Sequence, residues 1–154
     1  MVKIIAGGLA DPQVVRLLGV HLSNARAQTA PGSAHALDIS GLMAPEVSFW
    51  SAWEEGNLLA VGAMKRLSKT HGEVKSMHTA ETARRRGIGS AVLQHIVDAA
   101  RHGGITKLSL ETGSWAYFQP AVALYKRHGF VECAPFDGYK PEPNSIFLTR
   151  DLQA

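Results

Sequence analysis

Apolar positions along this chain follow two rhythms, and the rhythm assigns the elements. Val2 to Ala6 is a short apolar run and reads as a first strand. Asp11-Pro12 reads as a helix cap followed by proline at the first helical position. Val14, Leu17, Leu18, Leu22 and Ala25 then recur at helical spacing, which predicts a helix to about Gln28. Thr29 to Ser40, with Pro31, Gly32 and Ser33, reads as a loop leading into a short helical turn around Asp38 to Met43. Val47 to Trp53 is aromatic-rich and strand-like, Glu54 to Asn57 has turn chemistry, and Leu58 to Leu67 is a second strand, giving a hairpin. Ser68 to Gly72 is the next turn and Glu73 to Thr79 the next strand. Strict alternation puts Glu73, Lys75, Met77 and Thr79 on one face of it, with Val74, Ser76 and His78 on the other.

The second half changes rhythm. Ile88, Val92, Leu93, Ile96, Val97 and Ala100 form one apolar stripe of a helix that Gly103-Gly104 end. Ile105 to Thr112 follows as a strand. Pro120 opens another helix, with Ala121, Val122, Leu124 and Tyr125, which stops at Gly129. Phe130 to Ala134 reads as a strand, Pro135 to Pro143 as a punctuated loop, and Ser145 to Leu152 as the last strand. No internal repeat or low-complexity segment interrupts the order. These elements predict an α/β (α+β) domain spanning residues 1–154. Its sheet is mixed and mostly antiparallel, with six to seven strands and about four flanking helices.

Composition narrows the function classes. The 154 residues suffice for one core, and 45% hydrophobic residues is ordinary for a globular chain. No apolar run is long enough to span a membrane, and Met1 to Ala6 is too short for a signal peptide. Cys133 is the single cysteine, so no intrachain disulfide forms, and a cytoplasmic setting is expected. The net charge of +3 is concentrated at Arg84 to Arg86 and otherwise scattered, without the basic stripe of a nucleic-acid binder. The histidine pairs His71/His78 and His95/His102 lack metal-ligand spacing, and no Gly-x-Ser-x-Gly is present. No metal is expected.

The strongest chemical signal is Arg84-Arg85-Arg86-Gly87-Ile88-Gly89-Ser90, between a strand and the start of a helix. Backbone N–H groups converge at such a turn, and the helix dipole favours an anion there. Gly87 and Gly89 allow close backbone approach. The run is not a dinucleotide fingerprint, which needs a third glycine, and not a P-loop, which needs Gly-Lys-Ser/Thr.

Arg84-x-x-Gly87-x-Gly89 resembles the acetyl-coenzyme A loop of the GCN5-related N-acetyltransferase (GNAT) superfamily. The later run Ala121-Val122-Ala123-Leu124-Tyr125-Lys126-Arg127-His128-Gly129-Phe130 resembles that family's Ala-x-x-Leu-Tyr-x-x-x-Gly-Phe signature, in the right order and spacing. The resemblance covers Glu73 to the C-terminus, and the first 60 residues only through element order. Leu110-Glu111-Thr112-Gly113 further resembles a bacterial subgroup. Where many members have proline and glycine around the loop, this chain has Glu81 and Arg85.

The resemblance implies a GNAT fold and acetyl transfer from acetyl-coenzyme A to a primary amine by direct attack. The acceptor would be a small molecule or a peptide. The pyrophosphate would sit on the N–H groups from Arg86 through Gly87, Ile88 and Gly89 to Ser90, with Arg84 and Arg85 nearby. The pantetheine arm would pair with the backbone of Met77, His78 and Thr79, one of whose N–H groups would hold the developing oxyanion. Tyr125 would protonate the departing thiolate. The base stays open between Glu73, Glu111 and His78, or a relaying water. Thr112 to Trp115, and also Trp50 and Trp53, are candidates to line the acyl or acceptor side. A homodimer is possible. The alternative is a non-catalytic acyl-coenzyme A-binding or regulatory module on the same fold.

Overall fold

The computed structural model describes residues 2–27, 39–84, 86–114 and 116–153. Seven strands form one sheet: β1 (Lys3–Ala6), β2 (Val47–Glu54), β3 (Asn57–Arg66), β4 (His71–Thr79), β5 (Lys107–Gly113), β6 (Val131–Glu132) and β7 (Ser145–Asp151). Their order is β1-β2-β3-β4-β5-β7-β6. Every neighbouring pair is antiparallel except β4–β5, which the α3 crossover makes parallel. Among the described residues the helices are α1 (Pro12–Ala27), α2 (Ile39–Leu42), α3 (Ile88–His102) and α4 (Gln119–Arg127). Three have real length and α2 is one turn, so the expected four is slightly high.

The predicted caps act as expected. The Asp11 side chain accepts from the Gln13 N–H at 2.8 Å, and the Asp11 carbonyl accepts from Val15 at 3.0 Å, starting α1. The predicted loop from Thr29 lies outside the described residues up to residue 38. The predicted strand Phe130 to Ala134 contracts to β6, whose two residues are exposed at the sheet's edge.

Two cores cover the two faces. On one, Val14 and Leu18 of α1 and Leu42 of α2 bury Phe49, Val61 and Ala63. On the other, the predicted stripe of α3 packs on Trp50, Ala60, Val74, Leu108 and Leu110, joined by Tyr125 of α4. Helix and sheet touch closely at Gly62, where an added Cβ would lie 2.9 Å from Val92 and 3.0 Å from Ile96. Truncating a residue such as Ile96 there costs about 2–5 kcal/mol.

Strand β4 departs from strict alternation. Val61 pairs with His78 and Ala63 with Lys75, so Ser76 and Met77 together oppose Gly62. Ser76 takes a left-handed φ of +54°, the conformation of a β-bulge. The bulge turns Met77 toward α3, where its sulfur would lie 2.8 Å from a Cβ at Gly62. The expected grouping of Met77 and Thr79 with Glu73 and Lys75 is therefore corrected. Upstream of the bulge, Glu73 and Lys75 face the α1 side; downstream, His78 takes that face and Met77 and Thr79 face α3.

Candidate active site

The site is where β4 and β5 part. They pair only at His71–Lys107, Gly72–Leu108 and Glu73–Ser109. Beyond these β4 runs to Thr79 and β5 to Gly113 with no ladder between them. The bulge at Ser76 falls just past the last pair and bends β4 away. Held there, a left-handed serine stores strain of about 1–3 kcal/mol. Its hydroxyl is buried with no hydrogen-bond partner among the described residues.

On the α3 side, the backbone leaves β4 through a 3-10 turn at Glu81–Ala83 and reaches Gly87, the N-cap of α3, at φ +76°. No side chain caps α3, its first turn holds no acid, and nothing lies within 4 Å of where a Gly87 Cβ would be. Open, uncapped N–H groups at a helix start fit a phosphate. The stretch of β4 unpaired on its β5 side fits an extended amide arm. Both features suit the two parts of coenzyme A.

The arginines divide. Arg84 reaches back to the Thr79 carbonyl, donating from Nε at 3.5 Å. Arg86 is held by Glu54 at 2.8 Å, which also keeps the Glu54 carboxyl below its usual range. Arg85 lies outside the described residues. The Ser90 hydroxyl lies 2.6 Å from His128 Nε2, tying the first turn of α3 to the end of α4. Burial, with Arg150 and Arg127 nearby, lowers the His128 pKa. Gly89 packs on Leu124 and Thr79, each 3.4 Å from an added Cβ. The first turn of α3, the end of β4 and α4 thus meet at one place, which joins the two sequence motifs.

Tyr125 is 7% exposed, with its ring edge-on to Phe130 at 5.8 Å. Burial pushes its phenol well above the ordinary value, so it stays protonated. Trp50 sits in the α3-side core against His95, and Trp53 packs on the α1-side core with its N–H on the Ser51 hydroxyl. Both serve packing.

The opposite face carries a polar cluster. Glu73 is 2% exposed, and its Oε2 accepts from Lys75 Nζ at 3.1 Å and from the Tyr139 hydroxyl at 2.7 Å. Lys75 also donates to the Tyr139 oxygen at 3.0 Å. Glu111, on β5, accepts from the Ser145 hydroxyl at 2.8 Å. Its pKa is pushed up to about 7, chiefly by burial, against the lowering effects of Ser145 and Lys75. His78 is half-buried on the same face. Of the three base candidates, Glu73 is committed to two partners, while Glu111 is poised to change charge near neutrality.

Sequence reasoning missed Tyr139, Lys75, Ser145 and His128. Tyr139 lies 66 residues from Glu73, and nothing local connects them. His128 lay inside the second motif, but its partner Ser90 is 38 residues away. Among the described residues no group of three or more His, Cys, Asp or Glu gathers as metal ligands, and no helix is long and apolar enough to cross a membrane.

An uncapped glycine turn opening α3, two parting strands and a buried helix tyrosine define an acyltransferase scaffold, and the comparisons agree. A family model described as the acetyltransferase (GNAT) family matches residues 17–130, and the chain belongs to that family. It is 46% identical over 144 residues to the uncharacterized N-acetyltransferase YsnE of Bacillus subtilis, covering 94% of this chain and 95% of that one. It is 43% identical to the uncharacterized N-acetyltransferase YedL of Escherichia coli, covering 99% and 96%. A 38% identical relative, covering 78% of each chain, is named IAA acetyltransferase, from Azospirillum brasilense. Among solved structures, one described as the putative acyl-CoA N-acyltransferase from Klebsiella pneumoniae superposes with a TM-score of 0.80 at 24% identity, over 99% and 98% of the two chains. A GNAT family acetyltransferase from Elizabethkingia anophelis, solved with acetyl-CoA bound, superposes at 0.72 and 18% identity, over 98% of each.

Proposed function

We propose that the chain transfers the acetyl group of acetyl-coenzyme A to a primary amine by direct attack. The observation that carries this reading is the parting of β4 and β5 beside an open, uncapped helix start. The N-acetyltransferase names of two relatives support it, as does the acetyl-CoA bound in a structural neighbour. Acetyl-coenzyme A supplies the thioester; the residues of this chain bind, orient and move protons. The N–H groups from Gly87 to Ser90 hold the pyrophosphate. The backbone of Met77 to Thr79 pairs with the pantetheine arm and offers an N–H to the developing oxyanion, as preorganised donors do.

The Glu111 carboxylate takes the proton that the acceptor ammonium must lose. The nitrogen then attacks the thioester carbonyl carbon. The C–N bond forms, the C–S bond breaks, and the electron pair leaves on sulfur. Tyr125 gives its hydroxyl proton to that sulfur and regains one from solvent. Burial raises the phenol, and the same burial raises the basicity of a thiolate beside it, so the two remain matched. Glu73 acts through its neighbours, because both contacts to its Oε2 are already made.

The test is release of coenzyme A thiol with a panel of primary amines. Amine-dependent release that falls in Tyr125→Phe supports the reading. Binding of acetyl-coenzyme A with no amine-dependent release would instead support the acyl-coenzyme A-binding module.

A further inference from the structure

The acceptor class is open in the reading above, and the charges on the acceptor side narrow it. The charged groups that act on Glu111 are Lys75, Glu73 and Glu142, one cation against two further carboxylates. That cation is committed. Lys75, Glu73 and Tyr139 form a closed triangle, with Lys75 to Glu73 at 3.1 Å, Tyr139 to the same carboxylate oxygen at 2.7 Å, and Lys75 to the Tyr139 oxygen at 3.0 Å. The Lys75 and Glu73 side chains are 8% and 3% exposed, so water screens their attraction weakly. The ammonium lies off the hydroxyl end of the Tyr139 ring, 5.8 Å from its centre.

Tyr139 is itself anchored. Its ring packs edge-on against Phe136 at 5.2 Å and tilted against Phe147 at 5.7 Å, and Phe136 rests on His71 at 5.8 Å. The loop after β6 therefore holds the phenol fixed over the end of the β4–β5 pairing. An acceptor carboxylate arriving here would lie beside Glu111 and would find Lys75 already paired with Glu73. A neutral or cationic arm meets no such opposition.

Resting on the acetyl-transfer reading, we propose that the acceptor is an amine that bears no carboxylate, with a second ammonium favoured, and that Tyr139 is the specificity-determining residue because it locks Lys75 onto Glu73.

Matched pairs that differ by the carboxylate alone test this: cadaverine against lysine, and phenethylamine against phenylalanine. The expected kcat/KM is at least about tenfold higher for the member without the carboxylate, because like charges placed together reject wrong partners. Glu73→Gln releases Lys75 and narrows that ratio; Tyr139→Phe leaves the Lys75–Glu73 pair but removes the hydroxyl that pins both, and narrows it less, a readout that a merely structural defect would not move. Stabilisation by acetyl-coenzyme A, read by thermal unfolding, shows that each variant is folded and competent. Equal or better turnover of the amino acids overturns the inference and leaves acetyl transfer standing. An unchanged ratio in Tyr139→Phe overturns the role of Tyr139. Acetyl-coenzyme A binding with no amine turned over, or no binding at all, overturns the acetyl-transfer reading and the inference with it.

Discussion

The two sides of the parted strands are built differently. The α3 side is made of backbone and short contiguous motifs: the turn at Gly87, the start of α3, and α4 packed on both. The opposite side is made of side chains drawn from β4, β5, β7 and a loop, with Glu73 and Tyr139 joined across 66 residues. On the proposed reading, one would bind through N–H groups that almost any sequence with the right glycines presents. The other would work through charge balance, which single substitutions alter. A fold built this way could keep its cofactor side while its acceptor side varies.

The largest expected effect lies on the α3 side. Tyr125→Phe should lower kcat by about 100-fold or more, the usual worth of a positioned proton donor, and leave KM for acetyl-coenzyme A within about twofold. Steady-state kinetics measure both. Unchanged turnover would remove Tyr125 from the chemistry.

Next comes Glu111→Gln on the acceptor side. In the wild type, kcat/KM should rise with pH through about 7 as Glu111 ionises, and the variant should lose that limb. The same group makes stability fall with pH. Its folded value is raised from 4.5 to about 7, so the stability it contributes is complete below about 4.5 and is lost as pH rises through about 7. The loss is at most about 3 kcal/mol. Denaturant unfolding at acid and neutral pH should show the drop in the wild type, reduced in Glu111→Gln.

A smaller effect is expected for Ser90→Ala. Losing the hydroxyl's hydrogen bond to His128, worth about 0.5–1.5 kcal/mol, should lower stability by that amount in denaturant unfolding and leave acetyl-coenzyme A binding, which uses the Ser90 N–H, near the wild type. Arg86→Ala should matter least. Its pair with Glu54 is 45% and 28% exposed, where water screens the attraction, so denaturant unfolding should barely move.

The α3 side was legible because its signals are local. The stripe of α3 is a period, the Gly87 turn is a short run, and Tyr125 lies in a ten-residue signature. The bulge at Ser76 was hidden, because serine is not a residue that announces a left-handed φ; the offset against Gly62 imposes it. That one residue moved Met77 and Thr79 to the other face. Tyr139 was hidden because its loop reads only as proline and glycine punctuation. Glu73 and Glu111 were both visible as acids near the cleft. Only their contacts tell them apart: Glu73 accepts from Lys75 and Tyr139, and Glu111 from Ser145.

The division between the two sides is tested most directly by calorimetric titration of acetyl-coenzyme A into the wild type, Gly87→Glu and Glu111→Gln. Circular dichroism would first establish that each variant is folded. Gly87→Glu puts an anion at the open start of α3 and should weaken binding by more than about tenfold, through the unfavourable dipole and the blocked phosphate site. Glu111→Gln should bind like the wild type. Wild-type affinity in Gly87→Glu, or lost affinity in Glu111→Gln, would contradict the account.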